Sequence, residues 1–353
     1  MGMAGKRLYR DKLGVIICFL FGLGLLFQSS CATLGVAPKT TEPAVAEEKP
    51  MTSKIFKSED YIIYRLQGEE TPVALAERFL GDTKKSWVIE DANEGIPFEK
   101  GQMVVIPLKE ENKGGLTADG YQVVPVICYH RFAEKCKSSI CMPASIFDQQ
   151  MRYLKDNGYR VINLAELLGF LRYRHALPKR SVVITLDDGY RSAYDIAYPI
   201  LKKYGFTAAL LIYTDFVETS TSAITWDQLR EMNTDGFEVG SQTLSHCDLT
   251  KKKEGEDEKA YIERIKRELL VSKQIIDKEL EQDTIYVAFP YGHYNQRVLN
   301  ICDQVGYEMA FSTKRGGNPF FADPLDLRRE QIVKRDMETF IARLKTFQEL
   351  SLK

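Results

Sequence analysis

The sequence predicts an α/β protein: a distorted parallel (β/α) barrel preceded by a small βααβ unit. Three observations carry this expectation. From Gln122 onward, short apolar runs alternate with amphipathic helical stretches, the pattern of repeated βα units. Residues 58–108 form a separate compact block with its own strands and helices. Polar clusters follow several of the later apolar runs, where a parallel barrel places its chemistry.

In the first block, Tyr61-Ile62-Ile63-Tyr64-Arg65-Leu66 has strand composition and ends at Gly68. Thr71-Pro72 opens a helix whose Val73, Ala76 and Leu80 share a face, and Gly81 stops it. A second helical segment runs around Trp87 to Asn93, and Met103 to Ile106 forms the closing strand. A polar linker, 109–121, follows. In the second block, strands are expected at Val123–Tyr129, Ser181–Leu186, Ala208–Tyr213, Phe237–Val239, Ile285–Phe289 and Met309–Phe311. Ser145 with Asp148, and Thr225 with Gln228, read as helix capping signatures, and Glu256 to Glu281 reads as one long amphipathic helix.

The chain has 353 residues and a net charge of −1, with no basic stretch interleaved with aromatics, which argues against nucleic acid as a partner. Lys6, Arg7, Arg10 and Lys12 precede an apolar run from Leu13 to Phe27, and Ser29-Ser30-Cys31 follows. This is the layout of an export signal over 1–31; a membrane anchor is the alternative, but the run is short of the roughly 20 residues a spanning helix needs. Residues 32–57, rich in Pro, Thr, Ala and Glu, read as a disordered tether. Export permits a disulfide, and Cys136 with Cys141 is the closest pair; a metal site is the alternative.

Asp187-Asp188-Gly189-Tyr190, Gln242 to His246, Pro290-Tyr291-Gly292 and Tyr129-His130 each leave an apolar strand. Carboxylates in such places are costly unless paired or bound to metal. Capping or salt-bridge duty is the bland alternative for any one cluster; four at strand ends make a site the better expectation.

Several of these segments resemble known families. Ser29-Ser30-Cys31 is similar to the lipobox of bacterial lipoproteins, with Gln28 departing from it, and implies a lipid-anchored envelope protein. "YIIYRLQGEETPVALAERFLGD" and "WVIEDANEGIPFEKGQMVVIPL" resemble the LysM domain, whose members bind N-acetylglucosamine glycans. That resemblance implies a groove at Gly68, Glu69, Glu70, Thr71, Asn93 and Ile96. "ITLDDGYRSAYDIAYPILKKYGFTAALLIY", "ITWDQLREMNTDGFEVGSQTLSHCDLT" and "VAFPYGHYN" resemble the polysaccharide deacetylases (carbohydrate esterase family four), a likeness from about Val123 to Leu344 that implies such a domain over 122–353. "VPVICYHRF" and Ala288 point to their poly-N-acetylglucosamine deacetylase-like branch.

The resemblance implies roles. Asp187 would be the general base, and His130 the general acid. Tyr291 would offer its backbone N–H to the oxyanion. Asp188 and His246 would hold a divalent metal, zinc by default, with Gln242 at a third ligand position. The family usually has His there, and a neutral amide is a weaker zinc donor. The competing class is a non-catalytic, glycan-binding envelope lipoprotein with a degenerate barrel.

Overall fold

The computed structural model describes residues 55–109 and 112–350. The expected export signal, lipidated Cys31 and tether up to residue 54 lie outside the described residues. Among the described residues, no helix is long and apolar enough to cross a membrane.

The first block is a three-stranded antiparallel sheet with two helices. β1 (Ile55–Lys57) and β3 (Met103–Pro107) flank β2 (Tyr61–Arg65), and α1 (Pro72–Leu80) and α2 (Ser86–Ala92) lie between β2 and β3 in sequence. Thr71 caps α1 by accepting from the Ala74 N–H, Pro72 occupies the first turn, and Gly81 ends the helix at φ 68°. Period-two alternation turns Ile62, Tyr64, Val104 and Ile106 inward against Leu75, Ala76 and Ile89. The block rests on the second unit through charged contacts. Arg160 pairs with Glu90, Lys179 with Glu94 at 3.1 Å, and the Lys179 N–H donates to Asp91 at 3.0 Å.

The expected linker is only partly one. Within it, β4 (Leu116–Thr117) and β5 (Gly120–Gln122) pair, and β16 (Phe347–Glu349) joins β5 from the far end of the chain. Buried Gln122 donates to the Pro178 carbonyl at 2.6 Å, so this stretch belongs to the second unit. Polarity alone misses a strand whose partner lies more than 200 residues away.

The main sheet holds β6 (Val126–Tyr129), β9 (Arg160–Val161), β10 (Ser181–Asp188), β11 (Ala209–Ile212), β12 (Glu238–Ser241), β13 (Tyr286–Ala288), β14 (Met309–Phe311) and β15 (Glu330–Gln331). Its order is β14-β13-β12-β11-β10-β6-β15, with parallel pairing throughout and β9 attached to β10. A parallel bridge from Phe311 to Leu327 brings the two ends together. The strand bodies bury hydrophobic residues on both faces. Val182, Ile184 and Leu186 pack outward with Phe147, Met151 and Leu201. Val183 packs inward with Val126, Leu211 and Phe311.

The helices that clothe the sheet are α3 (Ala144–Asp156), α4 (Leu164–Leu171), α5 (Tyr198–Tyr204), α6 (Trp226–Thr234), α7 (Glu258–Leu280), α8 (Gln296–Val305) and α9 (Met337–Ala342). Thr225 and Gln228 form the expected capping box on α6. Ser145 does not cap α3, which opens at Ala144 behind Pro143; Asp148 instead pairs with Lys203 at 2.6 Å and Arg152 at 3.3 Å. Beside the barrel mouth, β7 (Arg131–Ala133) pairs with β8 (Cys141–Pro143), and Cys136 and Cys141 are disulfide-bonded as expected.

Candidate active site

The site lies at the carboxyl ends of β6, β10, β12 and β13. Strand alternation should send Asp187 and Asp188 to opposite faces. Asp187 follows the rule, entering the barrel with Val183 and Thr185. Asp188 escapes it by taking φ 75°, a left-handed conformation that redirects its carboxylate. Thr243 (φ 73°), His246 (φ 59°) and Tyr291 (φ 59°) share this disfavoured region. Such strain persists only where surrounding structure over-determines it, and it gathers at functional sites.

Here α7 supplies much of that support. Buried Glu268 accepts from the Ser245 N–H at 2.9 Å and the Ser245 hydroxyl at 2.7 Å, and its carbonyl accepts from Leu244 at 3.0 Å. Ser241 Oγ accepts from the Thr243 N–H at 3.0 Å, and Thr243 Oγ1 from the His246 N–H at 3.1 Å. Tyr213 and Tyr291 flank the His246 ring at centroid distances of 5.1 and 4.9 Å. Burial, with nearby Tyr190, Asp188 and Tyr291, pushes the Tyr213 phenol up to about 12, so it stays protonated near neutral pH.

Asp187 is 2% exposed and its Oδ1 accepts from Arg329 at 2.7 Å. Arg329 is fully buried; its Nε also donates to the Ser312 carbonyl at 3.0 Å and the same Nη1 to Thr185 Oγ1 at 3.3 Å. Burial alone would lower the guanidinium, but Asp187 and then Cys128 carry it above its ordinary value. Beside them, burial pushes the Cys128 thiol well up.

Asp188 Oδ1 is buried and has no hydrogen-bond donor among the described residues, although His246 Nε2 lies 3.4 Å away. Burial by itself would raise this carboxyl; His246, His130 and Gln242 together bring it below its ordinary value. An orphaned buried carboxylate oxygen beside an imidazole nitrogen fits a divalent cation, which supplies the missing partner.

Gln242 is buried between them. Its Oε1 accepts from the Asp188 N–H at 2.8 Å, and its Nε2 lies 3.1 Å from His246 Nε2. The Asp188 N–H fixes the amide's orientation, since a flipped amide would set donor against donor. Gln242 therefore donates to His246 Nε2, which places the imidazole proton on Nδ1 and engages the Nε2 lone pair. The oxygen expected to ligate metal accepts this one hydrogen bond and keeps a second lone pair.

His130 follows β6 and is half-buried. The β6–β10 register pairs Tyr129 with Leu186, which sets His130 across from Asp187. Tyr291 sits in a single turn, Pro290–Gly292, where Gly292 and His293 donate back to Phe289 and Pro290. Its own N–H, in the opening turn, lies outside that bonding. A groove of about 310 Å³, lined by Arg131, Phe132, Tyr190, Arg191, Asp195 and Ser222 among others, adjoins this region. A cavity of about 530 Å³ lies between the 316–330 segment and the 342–348 segment and is lined by none of the predicted site residues.

Of the expected glycan-binding residues, Asn93 is buried. Its amide donates to the Ile89 and Val105 carbonyls, each at 2.7 Å, and its oxygen accepts from the Val105 N–H at 2.8 Å. It braces the small block from inside. Thr71 is occupied as a helix cap, and Glu70 accepts from the Gln67 N–H at 2.7 Å and Tyr64 at 3.0 Å. Glu69 and Ile96 are exposed and Gly68 is half-buried.

A parallel barrel with strained carboxylate and imidazole loops at its strand ends defines a hydrolase-type site. Comparison with known proteins makes the family specific. Residues 174–310 match the polysaccharide deacetylase family, and this chain carries a polysaccharide deacetylase domain. The Bacillus subtilis (strain 168) protein YxkH is 27% identical over 218 residues, 62% of this chain and 74% of that protein. The poly-beta-1,6-N-acetyl-D-glucosamine N-deacetylase of Staphylococcus aureus (strain MRSA252) is 31% identical over 173 residues, 48% of this chain. The chain spans 59% of that relative's length. The Streptococcus pyogenes deacetylase PplD, solved in complex with acetate, superposes with TM-score 0.58 at 27% identity, covering 64% of this chain and 99% of that one.

Proposed function

We propose that this protein is a metal-dependent N-deacetylase of an N-acetylhexosamine-containing envelope polysaccharide, most closely of the poly-β-1,6-N-acetylglucosamine type. The observation that carries this reading is the orphaned Asp188 Oδ1 facing His246 Nε2, beside an Asp187 tethered by Arg329. The S. aureus relative's name supports the polymer.

Asp188 and His246 would hold the cation, which would take the His246 Nε2 lone pair from the Gln242 amide while Gln242 Oε1 keeps the Asp188 N–H. When bound, a divalent cation of this kind, zinc by its nitrogen and oxygen donors, supplies Lewis-acid polarisation of the acetamide and an acidified water. Asp187, held in one orientation by Arg329, takes the proton of the attacking water. The Tyr291 N–H donates to the oxyanion as the carbonyl becomes tetrahedral. His130, across from Asp187, delivers a proton to the departing amine nitrogen as the carbon–nitrogen bond breaks. Acetate and the free amine result.

The same reading assigns the 58–108 block to glycan retention as a LysM domain, and the 1–31 segment with Cys31 to export and lipid anchoring at the envelope. A second reading, a glycan-binding lipoprotein without catalysis, draws on the Gln242 amide donating to His246 Nε2, the lone pair a cation would use. Acetate release from defined N-acetylglucosamine polymers, with metals added singly to metal-stripped protein, separates the two. The catalytic reading expects release that His130→Ala cuts by about 100-fold or more; no release with any polymer or metal supports the second.

A further inference from the structure

Cys128, His130 and Asp187 form a second constellation in the same cleft. A thiol, an imidazole nitrogen and a carboxylate oxygen from these residues all lie within 4.8 Å of one another. The arrangement follows from the strands. Cys128 and His130 are two positions apart and share a face, and the register sets Asp187 directly across from His130. None of the three coincides with Asp188 or His246. We infer that this trio is a distinct site for a thiophilic divalent cation, cadmium or zinc in excess, and that filling it shuts the enzyme off.

The donor set decides the class of ligand. Sulfur with imidazole and carboxylate suits zinc and its softer relatives, whereas magnesium and calcium take oxygen alone. On binding, the Cys128 thiol loses its proton to water as the sulfur–cation bond forms. Thiolate and Asp187 then carry two negative charges against the one positive charge of Arg329, leaving a net attraction for a dication. Arg329 engages Asp187 Oδ1, and the carboxylate has further lone pairs to offer.

Inhibition rests on the roles proposed above for Asp187 and His130, since a cation here ties up both the base and the acid. The binding itself does not depend on them. Cys128 is thus the residue that sets the response to soft metals, through the cation it binds with Asp187 and His130.

Cadmium titration of the full chain, without reductant so that the Cys136–Cys141 bond is kept, tests the site through cadmium–thiolate absorbance in the near ultraviolet. Wild type is expected to bind one cadmium with thiolate absorbance, and Cys128→Ser and Cys128→Ala to lose it. Cys247→Ser, His246→Ala and Asp188→Ala are expected to keep it. In the acetate-release assay, Cys128→Ser should need about 10–100-fold more cadmium for half-inhibition, the usual cost of losing one element of a metal site. Equal absorbance and stoichiometry in wild type and both Cys128 variants overturns the inference, as does loss of the signal in Cys247→Ser instead. If no acetate release is found at all, the absorbance arm still decides whether the trio binds.

Discussion

Replacing Arg329 by Met tests how the general-base carboxylate is held. Arg329 is fully buried, and its guanidinium joins two parts of the barrel, donating to Asp187 and Thr185 on β10 and to the Ser312 carbonyl after β14. Methionine fills much of the volume but returns none of these bonds. Removing one partner of a buried ion pair costs about 3–5 kcal/mol, because the other charge stays buried without compensation. A domain of this size has a total stability of about 5–15 kcal/mol, so the loss is a large share of it. At about 2–4 °C per kcal/mol for a domain of 150–250 residues, the melting temperature should fall by roughly 10 °C. Urea unfolding followed by Trp226 emission in a Trp87→Phe background reads the barrel alone. The double variant Arg329→Met with Asp187→Asn should recover part of the loss, since no charge is then stranded. A loss below about 1 kcal/mol, or a double variant that simply adds the two single losses, refutes the claim that the pair is coupled and buried.

Three further outcomes follow from the same geometry. Gln242→His removes the amide that donates to His246 Nε2 and adds an imidazole, and metal affinity by competition titration should rise about 10–100-fold; equal affinities would show that position 242 does not face the metal. Glu268→Gln breaks the bracing of Ser245 and with it the strained His246 turn, so metal affinity should fall while α7 stays helical by circular dichroism. Asp148 is held below its ordinary carboxyl value, first by the hydrogen bond from Lys203, which with Tyr204 and Arg152 outweighs the opposing effect of burial. Its stabilisation is therefore present above the unfolded value of about 3.9 and lost as pH falls through the lower folded value. Asp148→Asn should cost up to about 1 kcal/mol at pH 7 and progressively less as pH falls below about 3.9, by denaturation across that range.

The parts legible in the sequence were those written in local pattern. The βα alternation marked the strands, and Asp187-Asp188, His246 and Tyr291 stood out as polar residues leaving apolar runs. The parts missed depend on distant packing. Arg329 lies in Leu327-Arg328-Arg329-Glu330-Gln331-Ile332, and nothing local marks which arginine turns inward. Glu268 left a weak signal, a carboxylate on the apolar stripe of α7 that also carries Tyr261, Ile265, Leu269 and Ile276. Cys128 read as strand filler because its neighbours across the sheet are set by the β6–β10 register. At Gln242, expected as a ligand through its oxygen, the structure adds a partner that composition does not show: the Asp188 N–H donates to that oxygen.

The most direct measurement is acetate release from poly-β-1,6-N-acetylglucosamine by the full chain, supplied with zinc, cobalt or nickel after metal stripping. Release is expected to depend on added metal, to be lost together with metal binding in Asp188→Ala and His246→Ala, and to fall by about 100-fold or more in His130→Ala while metal binding persists. Undiminished release from the stripped protein, or from Asp188→Ala, would contradict a metal-dependent reaction at this site.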